Sequence, residues 1–432
     1  MVKMSLPPHL TIRNNHLWIG GCDAVRLAFT YGSPLYVTDE DRIRENYRAY
    51  QTALTRRYPH IRILYAAKAN GNPAILKILA SEGAGADVFS TGELRIALSA
   101  GMKPEHLLFN GSSKTEGDHR TAVREGVRVS LDSIDELVQL DRIAGEEGKR
   151  VEISFRVNPA IDVPTHPKIA TGLATSKFGI PASGIIDAYA RALACENVIP
   201  VGIHCHIGSQ ILSVEPFAQE ARVLMEVVAE LHKLGVTFSF VDLGGGLGVC
   251  YEHTTSPAPD MDAYAAAVMP DITATFSRLG ISPEVWIEPG RSLVCDSTIL
   301  LTRVNSVKQA HKIFVNVDAG FNTLIRPAMY DSYHEVIVAD RADDKPEETY
   351  TITGPICETG DILAHDRRLP TVRAGDLIAI LDAGAYGYAM ASQYNGRGRC
   401  AEVLVRGEEA ALIRRAETLD DLLAAVVTPP WL

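Results

Sequence analysis

The sequence predicts an α/β protein, a (β/α)8 barrel of the TIM type joined to an antiparallel β domain. Three observations carry that expectation. Short β-rich runs alternate with helical stretches through the first two thirds of the chain, and eight such runs occur. After about residue 291, strand-like runs follow one another with few long helices between them.

In chain order, the first 34 residues hold two strand-like pieces, LTIRN and HLWIG, expected to pair into the later β domain and make it discontinuous. The barrel runs are RILYAAKA (62–69), ADVFS (86–90), HLLFNG (106–111) and VRVSLD (127–132), then VEISFRVN (151–158), VIPVGIHCHIG (198–208), FSFVDLGGG (238–246) and VWIEPG (285–290). NPAILKILASEG, TGELRIALSAG and SIDELVQLDRIAGEEG lie between them, and EPFAQEARVLMEVVAELHKLG is the longest stretch with apolar residues at helical spacing. Gly83, Gly101, Gly148 and Gly235 close helices where a left-handed residue is needed. The unbroken apolar character of VIPVGI and FSFV suits parallel strands buried on both faces. An open doubly wound sheet shares the alternation, so the strand count decides for the barrel. STILLTRV, HKIFVNVD, YHEVIVAD, TYTITG, DLIAILDAG, AEVLVRG and AALIRR make up the β domain, with RADDKPEET (341–349) as an exposed loop. The expected domains are therefore 1–34 with the β domain, 35–290 as barrel and 291–432 as β domain.

Composition narrows the function classes. The chain has 432 residues, 46% hydrophobic and 22% charged, which is ordinary for a globular protein of more than one domain. A net charge of -11 argues against a general nucleic-acid binder, since phosphate neutralisation needs a basic surface. The seven cysteines are scattered with no CxxC pair, which fits a reducing compartment. The N-terminus interrupts its apolar residues with Pro, Arg and His, unlike a signal peptide, and no run approaches the roughly 18 apolar residues of a membrane helix. A cytoplasmic protein without a membrane or nucleic-acid partner is expected.

The residues that carry chemistry sit at the expected strand ends. In such barrels the active site lies at the carboxyl ends of the strands, and a phosphate site often follows strands seven and eight. Here the seventh run ends in Gly244-Gly245-Gly246 and the eighth in Glu288-Pro289-Gly290-Arg291. A lone triple glycine is more often a plain turn, but at this position its backbone N–H groups suit a phosphate. Lys68 ends the first run behind the apolar stretch Ile63–Ala67. Most lysines at strand ends are simply solvated; one desolvated by apolar neighbours can form a Schiff base. A phosphate site opposite such a lysine suggests pyridoxal 5'-phosphate. His204 and His206 in HCH invite a zinc reading, but third and fourth ligands at suitable spacing are missing.

Seven motifs in order run through the chain: YAAKAN (65–70), HIGSQ (206–210), GGG (244–246), EPGR (288–291), RPAMY (326–330), GPICETGD (354–361) and AGAYGYAMASQYNGRGR (383–399). With them, residues 30 to 405 resemble the alanine-racemase-like pyridoxal-phosphate decarboxylases, and within these the diaminopimelate decarboxylases. The resemblance implies that Lys68 carries the cofactor and that His206 stacks on its ring. Ser209, the three glycines and the backbone of 288–291 would bind the phosphate, while Glu288 would pair with the pyridine nitrogen and Tyr386 would touch both phosphate and substrate. Asp87 and Arg156 would orient Lys68 and His206, or belong to a structural charge network. Arg291, Arg326 and Tyr330 would clamp the distal carboxylate of the substrate, a task that suits the planar guanidinium fork. Glu358 would accept a bond from the distal ammonium. Cys357, with Glu358, would be offered across a homodimer interface, though a buried inert thiol is the common fate of a cysteine. Either Cys357 or Lys68 would return the proton after carbon dioxide leaves. Decarboxylases of ornithine, arginine or carboxynorspermidine share the fold, but a substrate without a distal carboxylate has no use for Arg326. A racemase and a non-catalytic pyridoxal-phosphate-binding regulator are the remaining alternatives.

Overall fold

The eight expected runs close on themselves in the computed structural model, which describes residues 6–432 except 164, 174 and 254–257. The barrel strands are β1 (Ile61–Ala66), β2 (Gly85–Val88), β3 (Leu107–Phe109), β4 (Arg128–Leu131), β5 (Val151–Asn158), β6 (Val198–Cys205), β7 (Phe240–Asp242) and β8 (Glu284–Ile287). Each pairs in parallel with the next, β8 returns to β1, and β4 with β5 completes the ring. The chain divides into two compact units, the barrel unit (Arg44–Val249 and Ala258–Leu293) and a sheet unit made of the rest. Among the described residues no helix is long and apolar enough to cross a membrane.

Strand pleating sorts the barrel interior into layers. Side chains two apart on a strand share a face. Phe240 and Trp286 stack at 3.9 Å with their planes 11° apart, and with Leu64 and Leu108 they form an apolar plug. Gly202 makes room for it, since a Cβ there would sit 2.2 Å from the Phe240 ring. Two residues further along the same strands come Asp242, Glu288 and His204. Thus each of three strands contributes an apolar or small residue to the plug and a polar one to the layer above it. The helices outside are capped as their sequences suggest: Asn72 accepts from Ala74 N–H at the start of Pro73–Glu82, and Gly83 closes it at φ +99°.

The sheet unit corrects the expected antiparallel arrangement, because its large sheet is mixed. Ile313–Val317 runs parallel to Glu348–Thr353, and Ala401–Arg406 runs parallel to Leu35–Asp39. Leu35–Asp39 lies between Ala401–Arg406 and the long strand Thr298–Gln309, with all five of its residues buried. That strand precedes the barrel in sequence and packs in the sheet unit, whereas the sequence boundary placed it with the barrel. The LTIRN and HLWIG pieces form Leu10–Arg13 and His16–Ile19, which pair with each other and with Cys22–Asp23 in a separate small sheet of the same unit. Their apolar residues Leu10, Leu17 and Ile19 pack with Val37 and Val403 of the large sheet.

Candidate active site

The barrel mouth is built from residues at or just past strand ends. Lys68 lies in a 3-10 turn, Ala67–Ala69, immediately after β1 rather than on the strand itself. Its side chain is 35% exposed, so the amine is reachable, and Nζ donates to Oδ2 of fully buried Asp87 at 2.6 Å. Nζ also lies 4.1 Å from the centre of the Phe89 ring. Burial first, then the negative charge of Glu288, raises Asp87 to about 7 against the pull of Lys68.

A hydrogen-bonded chain leads inward from this pair. Asn110, one residue past β3, donates through Nδ2 to Asp87 Oδ1 at 2.8 Å and to Glu288 Oε1 at 2.5 Å. Glu288 Oε2 is 3.4 Å from His204 Nε2, and His204 Nδ1 is 3.0 Å from Ser130 Oγ. Burial opposes the charge on Glu288, but the N–H side of His204 and the positive charge of Lys68 outweigh it and hold the carboxyl below its ordinary range. The carboxylate therefore stays ionised in a dry setting, as pairing with a protonated pyridine nitrogen requires.

His206 follows β6. Its Nδ1 accepts from Gly245 N–H at 3.2 Å, which sets the ring orientation, and its carbonyl accepts from Arg156 and Thr171 at 3.3 and 3.1 Å. Desolvation, then the charges of Arg156 and Lys68, hold the imidazole well below its usual range. A neutral ring suits stacking on an aromatic cofactor. Arg156 itself lies 4.5 Å from the Phe178 ring and is buried.

The glycine run is shaped by close approach. A Cβ on Gly245 would sit 2.1 Å from the Glu288 carbonyl oxygen, and Gly246, at φ +119°, would place one 2.4 Å from the Gly208 carbonyl oxygen. Gly244 N–H donates to Asp242 Oδ1 at 2.8 Å, and Glu288 N–H donates to Gly244 O at 2.7 Å, tying the ends of β7 and β8 together. Gly290 approaches Ala66 and Ala69, with a Cβ there 3.0 and 3.1 Å from their methyl groups. Next to it, Arg291 donates to Ser209 Oγ at 3.0 Å. The residues expected to hold phosphate, Ser209, Gly244–Gly246 and Pro289–Arg291, thus form one backbone-lined rim of the barrel unit. An accessible lysine, an ionised buried carboxylate, a neutral imidazole and a glycine rim together fit pyridoxal phosphate.

The remaining expected residues belong to the sheet unit. Arg326 opens the short helix Arg326–Tyr330, is 3% exposed, and donates to His334 and Ser332 at 3.2 and 3.1 Å while stacking 4.4 Å over Tyr251. Tyr330 ends that helix before Asp331, which turns at φ +51°. Tyr386 adopts φ +59°, a conformation uncommon for a bulky residue. Asp361 organises the GPICETGD loop by accepting from Phe321 and Ile356 N–H at 2.6 and 2.7 Å. On that loop Cys357 and Glu358 are exposed yet held: Asn395 bonds the Cys357 backbone and thiol, and Tyr394 donates to Glu358 at 2.7 Å.

Asn110, Asp242, Ser130 and a non-metal role for His204 were missed at the sequence level. The available signal was positional. Asn110 lies near the end of the third run as Asp87 lies in the second, and Asp242 stands two residues after Phe240 and two before Gly244.

A parallel barrel whose mouth brings together an accessible lysine, a buried carboxylate and a glycine rim suits a pyridoxal-phosphate enzyme. The family model of the pyridoxal-binding domain of pyridoxal-dependent decarboxylases matches residues 40–295. The chain is 51% identical over 416 residues to the diaminopimelate decarboxylase of Archaeoglobus fulgidus, covering 96% of this chain and 98% of that one. It is 45% identical over 416 residues to the diaminopimelate decarboxylase of Methanothermobacter thermautotrophicus, covering 96% of both. The crystal structure of the M. jannaschii diaminopimelate decarboxylase in complex with L-lysine superposes with a TM-score of 0.93 at 38% identity, covering 98% of this chain and 99% of that one. This chain belongs to the diaminopimelate decarboxylase family of pyridoxal-dependent decarboxylases.

Proposed function

We propose that the chain decarboxylates meso-2,6-diaminopimelate to L-lysine and carbon dioxide, the last step of lysine biosynthesis. The observation that carries this reading is the Lys68–Asp87–Asn110–Glu288 chain at a glycine-rimmed barrel mouth, in a protein matched along nearly its whole length by diaminopimelate decarboxylases.

What pyridoxal phosphate supplies when bound is an electron sink for the pair left behind as the carboxylate departs. The protein's part is positional and electrostatic. Lys68 Nζ would hold the cofactor, and Asp87 Oδ2 at 2.6 Å would orient that amine. Glu288 would pair with the ring nitrogen, His206 would stack on the ring, and Ser209 with Gly244–Gly246 and the backbone of 288–291 would hold the phosphate. Arg326, Tyr330 and Arg291 bind the distal carboxylate, Glu358 receives the distal ammonium, and Tyr386 borders the substrate. Cys357 or Lys68 returns the proton to the product carbon.

The functional form is a homodimer in the cytoplasm, in which Cys357 and Glu358 complete the partner's site. Their exposure despite an ordered hydrogen-bond set supports this, as do seven cysteines that are all free. Carbon dioxide release from meso-diaminopimelate, ornithine, arginine and lysine, measured in parallel, tests the substrate; faster release from ornithine overturns it. Mixing inactive Lys68→Ala and Glu358→Ala chains should restore activity, and no recovery rejects the shared site.

A further inference from the structure

Beneath Glu288 lies a second carboxyl that the reaction does not use. Asp242 ends β7 and is fully buried. Its Oδ1 accepts Gly244 N–H at 2.8 Å, whereas its Oδ2 meets no hydrogen-bond donor among the described residues. One ligating atom each of Asp242, His204 and Glu288 lies within 4.8 Å of the others. Two carboxylates this close in a dry interior cannot both be ionised.

Counting partners decides which one holds the proton. Glu288 faces the Asn110 amide at 2.5 Å, His204 Nε2 at 3.4 Å and the positive charge of Lys68. Asp242 has a single backbone N–H. The orphaned oxygen of Asp242 is the second sign, because a proton on it turns an acceptor without a donor into a donor with an acceptor beside it. We infer that Asp242 is a positioning residue, kept as a neutral carboxylic acid that donates from Oδ2 to Glu288 and so holds Glu288 as the anion facing the ring nitrogen.

His204 completes the set. With the Ser130 hydroxyl donating to Nδ1, a neutral imidazole carries its hydrogen on Nε2, toward Glu288. Burial raises Asp242 well above its ordinary range, and the charges of Glu288 and then Asp87 add to it. A carboxylate receiving donors from Asn110, His204 and Asp242 is a weak base, which leaves the shared proton on the pyridine side. A divalent cation held by the same three ligand-type residues is the competing arrangement.

The inference rests on Glu288 facing the cofactor ring, so the test separates the two ideas. Holoenzyme is prepared with pyridoxal phosphate labelled with nitrogen-15 in the ring, and the ring nitrogen signal is read by NMR for wild type, D242N, D242A and E288Q. Asparagine copies a neutral aspartic acid, so D242N should keep a protonated ring nitrogen and near-wild-type cofactor affinity. D242A removes the donor, should move the ring signal toward the unprotonated position, and should bind cofactor ~10- to 150-fold more weakly. The cofactor-free wild-type protein should show an infrared carboxylic-acid band at pH 7 that D242N lacks. An unprotonated ring in D242N, absence of that band, or a stoichiometric divalent metal in purified enzyme overturns the inference. If D242N does not fold, D242T retains a hydroxyl donor and should keep the protonated ring signal; an unprotonated signal there is equally fatal. An unmoved ring signal in E288Q instead refutes the placement of Glu288, while the infrared band still reports on Asp242 alone.

Discussion

Replacing Gly245 by alanine tests whether the glycine run is a requirement of the site or an ordinary turn. The added methyl would lie 2.1 Å from the Glu288 carbonyl oxygen, where Cβ atoms essentially never come within 3.0 Å, so the ends of β7 and β8 must part by about 0.9 Å. The obstacle is backbone, not a flexible side-chain tip. The bond from Glu288 N–H to Gly244 O would stretch from 2.7 Å to about 3.6 Å, beyond hydrogen-bonding distance. Overpacking of this kind costs ~1–3 kcal/mol. For a unit the size of the barrel that is a loss of roughly 2–12 °C in melting temperature. Because Glu288 and the phosphate rim move together, cofactor affinity should also fall, by about tenfold or more, or ~1.4 kcal/mol. Melting of the cofactor-free protein by calorimetry and pyridoxal-phosphate titration by absorbance measure the two effects separately. Gly92→Ala is the control. A Cβ there meets only Ser90 Oγ at 3.6 Å within a helix, so the change should be neutral or stabilise by ~0.4–1 kcal/mol. A Gly245→Ala protein that melts within about 1 °C of wild type and binds cofactor equally well would refute the close-approach argument.

Three further outcomes are expected. Lys68→Ala should lose both the absorption of covalently held cofactor and all turnover, and residual turnover would displace Lys68 from its role. Arg326→Leu should lower kcat/KM for diaminopimelate by about 30- to 5,000-fold, equivalent to ~2–5 kcal/mol of transition-state stabilisation, while leaving cofactor binding unchanged, measured by steady-state kinetics; unchanged kcat/KM would remove Arg326 from the substrate clamp. Glu220, buried beside Cys205, is raised by burial from 4.5 to about 8, so its own contribution to stability is full below about 4.5 and is lost as pH rises toward 8. Glu220→Gln should therefore melt like wild type at pH 4 and progressively higher than wild type up to pH 8, and a difference independent of pH would count against the shift.

The barrel was legible because its signal is repeated: eight apolar runs, each followed by a helix, leave little choice of fold. The phosphate rim was legible because glycine and EPGR stand where a barrel concentrates chemistry. Asn110 and Asp242 were not, since a single Asn or Asp at a strand end looks like any turn residue until the neighbouring strands are brought alongside. The mixed character of the sheet was hidden for a related reason. Leu35–Asp39 and Ala401–Arg406 pair in parallel across more than 350 residues of sequence, and no local periodicity records the direction of such a pairing. The apolar run before Lys68 predicts a desolvated lysine, whereas the structure gives it partial exposure and an ion pair with Asp87.

The stacked Phe240 and Trp286 have a consequence for how this protein can change. Each shares its strand face with a reactive-layer carboxyl two positions later, so plug and chemistry are set by one count along the chain. Substitutions in either layer can be repacked locally. A one-residue insertion or deletion between Phe240 and Asp242, or between Trp286 and Glu288, would turn a carboxyl outward and an aliphatic side chain into the polar layer. Lineages of this enzyme should therefore tolerate length variation in the loops beyond the glycine rim while keeping these two intervals fixed, making spacing a sharper marker of a working site than residue identity.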